Sequence, residues 1–229
     1  PLYIVIILIC VGFSLYASSI TKSRFKKYSA YTTQSRMTGA EVAHKILSDN
    51  NIHDVRIERV GGTLSDHYDP RSKSLRLSAD VHDRNSMAAF GIAAHEVGHA
   101  IQFSRQEQIF RLRSKYLPVA SALNRCGILI MWLIPFAGIF LRAPGAMAIM
   151  VGLSLCLQLG GAMAYLIILP EEWDASFNKA LPILIEGAYI EPTDIPVVRR
   201  ILKAAALTYF SAALANILNF SRWLLLFRS

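Results

Sequence analysis

Residues 95–99 read His95-Glu96-Val97-Gly98-His99, and these residue types at this spacing can hold a metal and activate water. Side chains four positions apart share a helix face, so both imidazoles can bind one ion. Neutral imidazole is a good zinc ligand. Glu96 follows the first histidine by one position, so it can reach a water on the metal without itself being a ligand. Zinc draws the pKa of such a water down to about 7, and a carboxylate beside it takes the proton as the water attacks a peptide carbonyl. The pattern predicts one zinc ion per chain, with His95 and His99 as ligands and Glu96 as the general base. The bland alternative is a helix with two surface histidines. Against it, Glu96 is the only Asp, Glu, Lys or Arg between Gly91 and Ile101, which suits a helix buried behind its metal.

A catalytic zinc also needs a third protein ligand and an open position for water. Glu171, Glu172 and Asp174 form an acidic cluster directly after an apolar run. Two predicted membrane spans separate that cluster from His99. An even number of crossings returns the chain to the side it left, so the carboxylates emerge where the histidines are. Topology favours a ligand from this cluster and leaves the three residues open.

The elements that must position these groups begin with the apolar runs. Residues 2–20, 117–141, 146–169 and 204–227 are each long enough to cross a bilayer core, which takes about 20 helical residues. The chain of 229 residues is 53% hydrophobic and 17% charged, whereas soluble domains carry roughly a quarter charged residues. The reading is a multi-pass membrane protein in contact with the lipid bilayer. The net charge of +8 does not argue for nucleic acid, because the cations flank the apolar runs: Lys22, Arg24, Lys26 and Lys27 after the first, Arg111, Arg113 and Lys115 before the second. That distribution orients spans and places residues 21–116 in the cytoplasm. The cations follow residues 2–19 instead of preceding them, the mark of an uncleaved anchor and not of a secretion signal. Cys10, Cys126 and Cys156 all fall in apolar runs without a C-x-x-C spacing, so neither a disulfide framework nor a cysteine metal site is expected.

Residues 21–116 have soluble composition. Thr38 and Glu41 form a capping box that starts a helix running to about Ser48. Val55 and Ile57 alternate with charged residues as in a strand, and Gly61-Gly62 ends it. Residues 64–68 and 74–77 read as strands around the turn Asp69-Pro70-Arg71-Ser72. A second helix covers residues 86–103. Helix, small sheet and helix in this order make an α+β domain. The boundaries are an anchor at 1–20, the catalytic domain at 21–116, a transmembrane hairpin at 117–169 turning at Arg142-Ala143-Pro144-Gly145, a cytoplasmic segment carrying the third ligand at 170–203, and a last span at 204–229.

Four blocks lie in order along the chain: Met37-Thr38-Gly39-Ala40-Glu41-Val42-Ala43, Asp66-His67-Tyr68-Asp69-Pro70-Arg71, Ala94-His95-Glu96-Val97-Gly98-His99-Ala100-Ile101-Gln102 and Glu172-Trp173-Asp174-Ala175-Ser176. With the anchor before them, they make nearly the whole chain resemble the YugP-type neutral zinc metallopeptidases of bacterial membranes. That resemblance implies a zinc metalloendopeptidase of the bacterial cell membrane, acting on peptide or membrane-protein substrates. A wider resemblance is to membrane gluzincins such as the CAAX-type proteases, which carry a later Glu-x-x-Ala-Asp whose Glu is the third ligand. Aligned on Ala175, that Glu is Glu172. Ser176 stands where the Asp would orient a ligand histidine, and offers only an uncharged hydrogen bond; Asp174 is the alternative for that role. In the same gluzincins a strand before the metal helix offers its edge to the substrate, which implies that His67 and Tyr68 approach the site and stabilise the oxyanion. The implied fold is a small zincin-like domain on a four-helix transmembrane scaffold. Two rivals belong to other classes. A membrane scaffold or regulatory protein with a structural zinc site needs a fourth ligand such as His67. A small transporter needs paired ionisable residues at mid-membrane depth, and the spans carry almost none.

Overall fold

The computed structural model describes residues 19, 22–33, 35–141 and 144–207. Apart from Ser19 and residues 204–207, the first and fourth expected spans lie outside the described residues, as do Arg142 and Ala143 of the expected turn. The chain divides into two compact units. One comprises the described residues up to Arg111 together with Pro170 onward, and the other holds Leu112–Leu169. Segment 170–203 therefore belongs to the same unit as the His95–His99 helix.

The first unit is a mixed α+β body. Helix α1 (residues 22–28) turns Phe25 and Tyr28 into the core. Helix α2 (Gly39–Asp49) opens with the expected box: Glu41 N–H donates to Thr38 Oγ1 at 3.2 Å, and Thr38 N–H donates to Glu41 Oε2 at 2.7 Å. Its Val42, Ala43, Ile46 and Leu47 are buried at the spacing of one helix face. Three strands follow, β1 (Arg56–Val60), β2 (His67–Asp69) and β3 (Ser74–Ser78), in the order β1-β3-β2. β3 is central, parallel to β1 and antiparallel to β2. Asp69 ties the β2–β3 turn by accepting from Arg71 N–H at 3.0 Å and Ser72 Oγ at 2.7 Å. β2 starts three residues later than the sequence suggests. Leu64 sits in the left-handed region at φ 55°, and Asp66 turns inward to accept the Ser78 N–H at 2.7 Å, so the ladder begins at His67.

After the short helix α3 (Ala79–His82) comes α4 (Met87–Ser104), with Ser86 Oγ capping the Ala89 N–H. Every residue from Met87 to Gln102 is buried. A helix enclosed on all sides needs apolar residues all round, which is why the polar ones it does carry stand out. Phe90 at its start is fully buried, and truncating it to Ala would cost about 3–5 kcal/mol.

The second unit contains most of α5 (Gln108–Leu141) and α6 (Pro144–Trp173). Small residues let these helices approach: a Cβ on Gly127 would sit 2.7 Å from Gln158 Cγ, and one on Gly161 would sit 2.9 Å from Ala120 O. Ser154 Oγ donates to Gly127 O at 2.7 Å and accepts from Gln158 Nε2 at 3.1 Å. Among the described residues one helix, Gln108–Gly138, is long and apolar enough to cross a membrane, and the apolar stretch Gly145–Gly161 is shorter. A four-helix scaffold is thus larger than what the described residues contain.

Past Trp173 the chain continues as a π-helix, π1 (Asp174–Ala180), then α7 (Leu181–Glu186) and α8 (Ile195–Ala206). α8 ends at Ala206 with Ala204 and Ala206 buried, so the sequence assignment of residue 204 onward to a new span gives way at its start to the end of an amphipathic helix.

Candidate metal centre

Helix α4 brings His95, Glu96 and His99 to one place by spacing alone. Both histidines are 4% exposed, and their rings lie 4.8 Å apart between centroids, tilted at 80°. Glu172, fully buried near the end of α6, comes to meet them. Its Oε2 is 3.3 Å from His95 Nε2 and 3.3 Å from His99 Nε2. One ligand atom from each of the three residues lies within 4.8 Å of the other two. Burial pushes the Glu172 carboxyl up, but the facing His99 and His95 outweigh it and hold it well below the ordinary carboxylate range. Two imidazole nitrogens and one carboxylate oxygen, with no thiolate, are the donor set of a catalytic zinc site and leave a position open. The residues present therefore fit the ion.

What allows the approach is the absence of a side chain on α4. A Cβ on Gly98 would meet Ala175 O at 2.6 Å, so glycine lets the π1 backbone lie against the metal helix. Pro170 lies in α6 just ahead of this contact.

Behind the three donors stands a polar layer. Ser176 Oγ is 2.9 Å from His95 Nδ1, at the position where the gluzincin pattern has an aspartate. Gln102 Oε1 is 3.0 Å from His99 Nδ1, and Gln102 Nε2 donates to Glu171 O at 3.0 Å and to Asp174 Oδ2 at 2.8 Å. Glu171 reaches His99 from the same side, with Oε1 at 3.5 Å from Nδ1, so it meets the ring nitrogen opposite to the one Glu172 meets. Asp174 touches neither histidine in these bonds and acts through Gln102. Lys179, 8% exposed, is paired with Asp174 and lies 2.8 Å from Glu107 Oε2. Burial pushes the Asp174 carboxyl up, and its bonds to Lys179, Gln102 and Asn178 prevail and lower it.

Glu96 is held from the other side. Its Oε2 accepts the Tyr68 backbone N–H of β2 at 3.1 Å. Asp66, just ahead of β2, is pushed up to about 6 by burial; the Ser78 N–H opposes this and the charge of Glu96 adds to it. The two β2 candidates diverge. His67 is exposed, with Nδ1 2.8 Å from Ser65 O. Tyr68 turns its ring inward against Phe103, 5.8 Å between centroids. The structure thus gathers His95, His99 and Glu172, bonds Glu96 to the backbone of Tyr68, and leaves His67 on the strand surface.

The sequence reading assigned no part to Gln102 or Lys179. Gln102 had a signal: it lies three positions after His99, on the same helix face. Lys179 had none, since its placement depends on the π register.

A family model described as "Putative neutral zinc metallopeptidase" matches residues 3–228. The chain is 36% identical over 226 residues to a Bacillus subtilis (strain 168) protein named "Putative membrane protease YugP", a match covering 99% of this chain and 96% of that relative. No solved structure matches it.

Proposed function

This chain belongs to the neutral zinc metallopeptidase family, and on that premise we propose that it cleaves peptide bonds at a single zinc site held by His95, His99 and Glu172, with Glu96 as general base. One observation carries this reading: two helical histidines and a distant buried glutamate converge through Nε2, Nε2 and Oε2, with a second carboxyl, Glu96, on the same helix as the histidines. Zinc bound there supplies a Lewis acid and a water whose pKa is lowered toward 7. Glu96 takes the proton of the attacking water and returns it to the leaving amine. The Tyr68 N–H fixes one oxygen of Glu96 and so aims the other. β2 is an edge strand, and a peptide added to it as a further strand would lie beside Glu96. His67 and Tyr68 are the proposed neighbours of the oxyanion, with His67 favoured because its ring is exposed while that of Tyr68 packs on Phe103.

We place the enzyme in a bacterial cell membrane as a multi-pass protein with its catalytic unit in the cytoplasm, acting on peptides or membrane-protein chains. The name of the Bacillus relative, the apolar helix α5 and the exposed Leu129, Trp132, Phe136, Ile149 and Met163 support the membrane. The cations beside the apolar runs support the orientation. A scaffold with a structural zinc site would need a fourth protein ligand, and among the described residues the donor group comprises three.

The test compares wild type with Glu96→Gln in membranes, reading cleaved membrane proteins by mass spectrometry. Products present with wild type and absent with the variant support the reading. A wild-type protein that binds zinc, yet cleaves nothing and ignores a hydroxamate, supports the scaffold instead.

A further inference from the structure

The buried Lys179 takes no part in the chemistry above, yet it sits at the end of a chain of bonds that reaches a zinc-binding histidine. Following that chain settles where its protons are. Asp174 Oδ2 and Glu171 O are acceptors only, so the end of the Gln102 amide that faces both, at 2.8 and 3.0 Å, is the NH2 end. The other end is then the carbonyl oxygen, and it lies 3.0 Å from His99 Nδ1. A carbonyl oxygen cannot donate, so Nδ1 must carry the proton. Glu171 Oε1, 3.5 Å from the same nitrogen, favours the same, while Glu172 Oε2 faces Nε2 at 3.3 Å, on the side where the metal would bind. His95 follows a shorter version of this logic. Ser176 Oγ–H donates to Leu202 O at 3.3 Å, which leaves its lone pairs to accept from His95 Nδ1–H at 2.9 Å.

We propose that Gln102 is a positioning residue: it holds His99 in the tautomer with the proton on Nδ1 and Nε2 as the metal-ligating nitrogen, and Asp174, clamped by Lys179, dictates which way the Gln102 amide points. A glutamine alone is ambivalent, since a half-turn about its last bond exchanges donor and acceptor. Asp174, with the Glu171 carbonyl beside it, removes the ambivalence, because the exchanged amide would set oxygen against both. Asp174 is in turn fixed: Lys179 holds Oδ2, Asn178 Nδ2 donates to Oδ1 at 2.9 Å, and Glu107 holds Lys179 at 2.8 Å. One charged anchor in π1 thereby sets a proton position in α4. This rests on the zinc reading of His95, His99 and Glu172.

The test uses the full chain, with zinc affinity measured by chelator competition and the His99 tautomer read from long-range 1H–15N spectra of histidine-labelled, metal-free protein in a Glu172→Ala background, which removes the carboxylate 3.3 Å from Nε2. With Gln102 intact, His99 is protonated on Nδ1 there. Gln102→Leu, which removes both ends of the amide, shifts His99 toward the other tautomer and weakens zinc binding by about 10–100-fold, the usual loss for an outer partner of a ligand histidine. Gln102→Glu sets a carboxylate against Asp174 and weakens binding as well. Adding Asp174→Asn to it puts a donor opposite the new carboxylate at constant charge and recovers part of the lost affinity; recovery stays incomplete because Lys179 shares Asp174 Oδ2 and the Glu171 carbonyl still faces the carboxylate. That rescue separates positioning from loss of folding. The proposal is overturned if Gln102→Leu keeps both the Nδ1–H tautomer and full affinity, or if the double variant is no better than Gln102→Glu, while His95→Ala still loses zinc. If His95→Ala also keeps zinc, the zinc reading itself has failed.

Discussion

One side of the metal centre is made by α4 and the other by residues 171–179, and they are built by different rules. On α4 the groups sit at regular helical spacing, His95 and His99 four apart and Gln102 three further on, and His99 finds one partner, Gln102, on its own helix. On the opposite side Glu172 closes an α-helix while Asp174, Ser176 and Lys179 belong to a π-helix. In a continuous α-helix Asp174 would point about 200° away from Glu172. Past Trp173 the bonding changes to i→i+5, and Glu172, Asp174 and Ser176 all bond to residues of α4, Asp174 by way of the long Gln102 side chain. A motif written in one helix can be read locally, even though Ser176, Glu172 and the Tyr68 N–H complete it from elsewhere. The partner surface needs an irregular helix, a glycine opposite it and a charge anchor.

If α4 carries the chemistry and the other side only holds it, Glu96→Gln should give the largest effect. Activity should fall by about 10²–10⁴-fold, the range for a lost general base, with zinc content unchanged in elemental analysis. Loss of zinc in that variant would make Glu96 a ligand and erase the division. Next in size is Ser176→Ala. Removing the only side-chain bond described for His95 Nδ1 should weaken zinc by about 10-fold, the low end for such partners, because Ser176 is uncharged. A loss as large as that of a ligand would place Ser176 on a par with Glu172.

The seam between the two sides is tested by Gly98→Ala. The added Cβ meets backbone, Ala175 O at 2.6 Å, so the helices must part. The cost is about 1–3 kcal/mol, read as a lower Tm, and zinc affinity should fall with it because Glu172 and Ser176 flank Ala175. Gly61→Ala is the control, since nothing lies within 4 Å of its Cβ. Equal Tm for both variants would contradict the close approach.

The smallest effect concerns the flank that holds Glu96. Asp66 is raised to about 6 in the fold, above the unfolded value of about 3.9. The folded chain then holds this proton more tightly, so the contribution is fully present below about pH 4 and is lost as pH rises through 6. Asp66→Asn, which keeps the oxygen that accepts from Ser78, should flatten the fall in Tm over that window. An unchanged slope would mean that Asp66 titrates normally.

How much of this was legible follows the same division. His95, Glu96, His99, the Thr38–Glu41 box and the Ser86 start of α4 are local patterns and could be read directly. The crossing count predicts the acidic cluster near the histidines, the resemblance chooses Glu172 from it, and Glu172 does lie against both histidines. The π register was not legible, because nothing in Asp174-Ala175-Ser176-Phe177-Asn178-Lys179-Ala180 departs from ordinary helix formers in a way that announces it. Without that register Lys179 reads as a solvated charge and Asp174 as facing away. The late start of β2 escaped for a similar reason: Leu64 adopts a left-handed backbone that its residue type does not suggest. The parallel pairing of β1 with β3 is a choice of tertiary packing.

The proposed site requires Glu172 to be the third ligand and its neighbour Glu171 not to be one. Zinc affinity by chelator competition, measured side by side for Glu172→Ala and Glu171→Ala, tests this most directly. Glu172→Ala should weaken binding by more than about 100-fold, beyond what outer partners contribute, and Glu171→Ala by less than about 10-fold. Strong loss at Glu171 with retention at Glu172, or retention in both, would contradict the site.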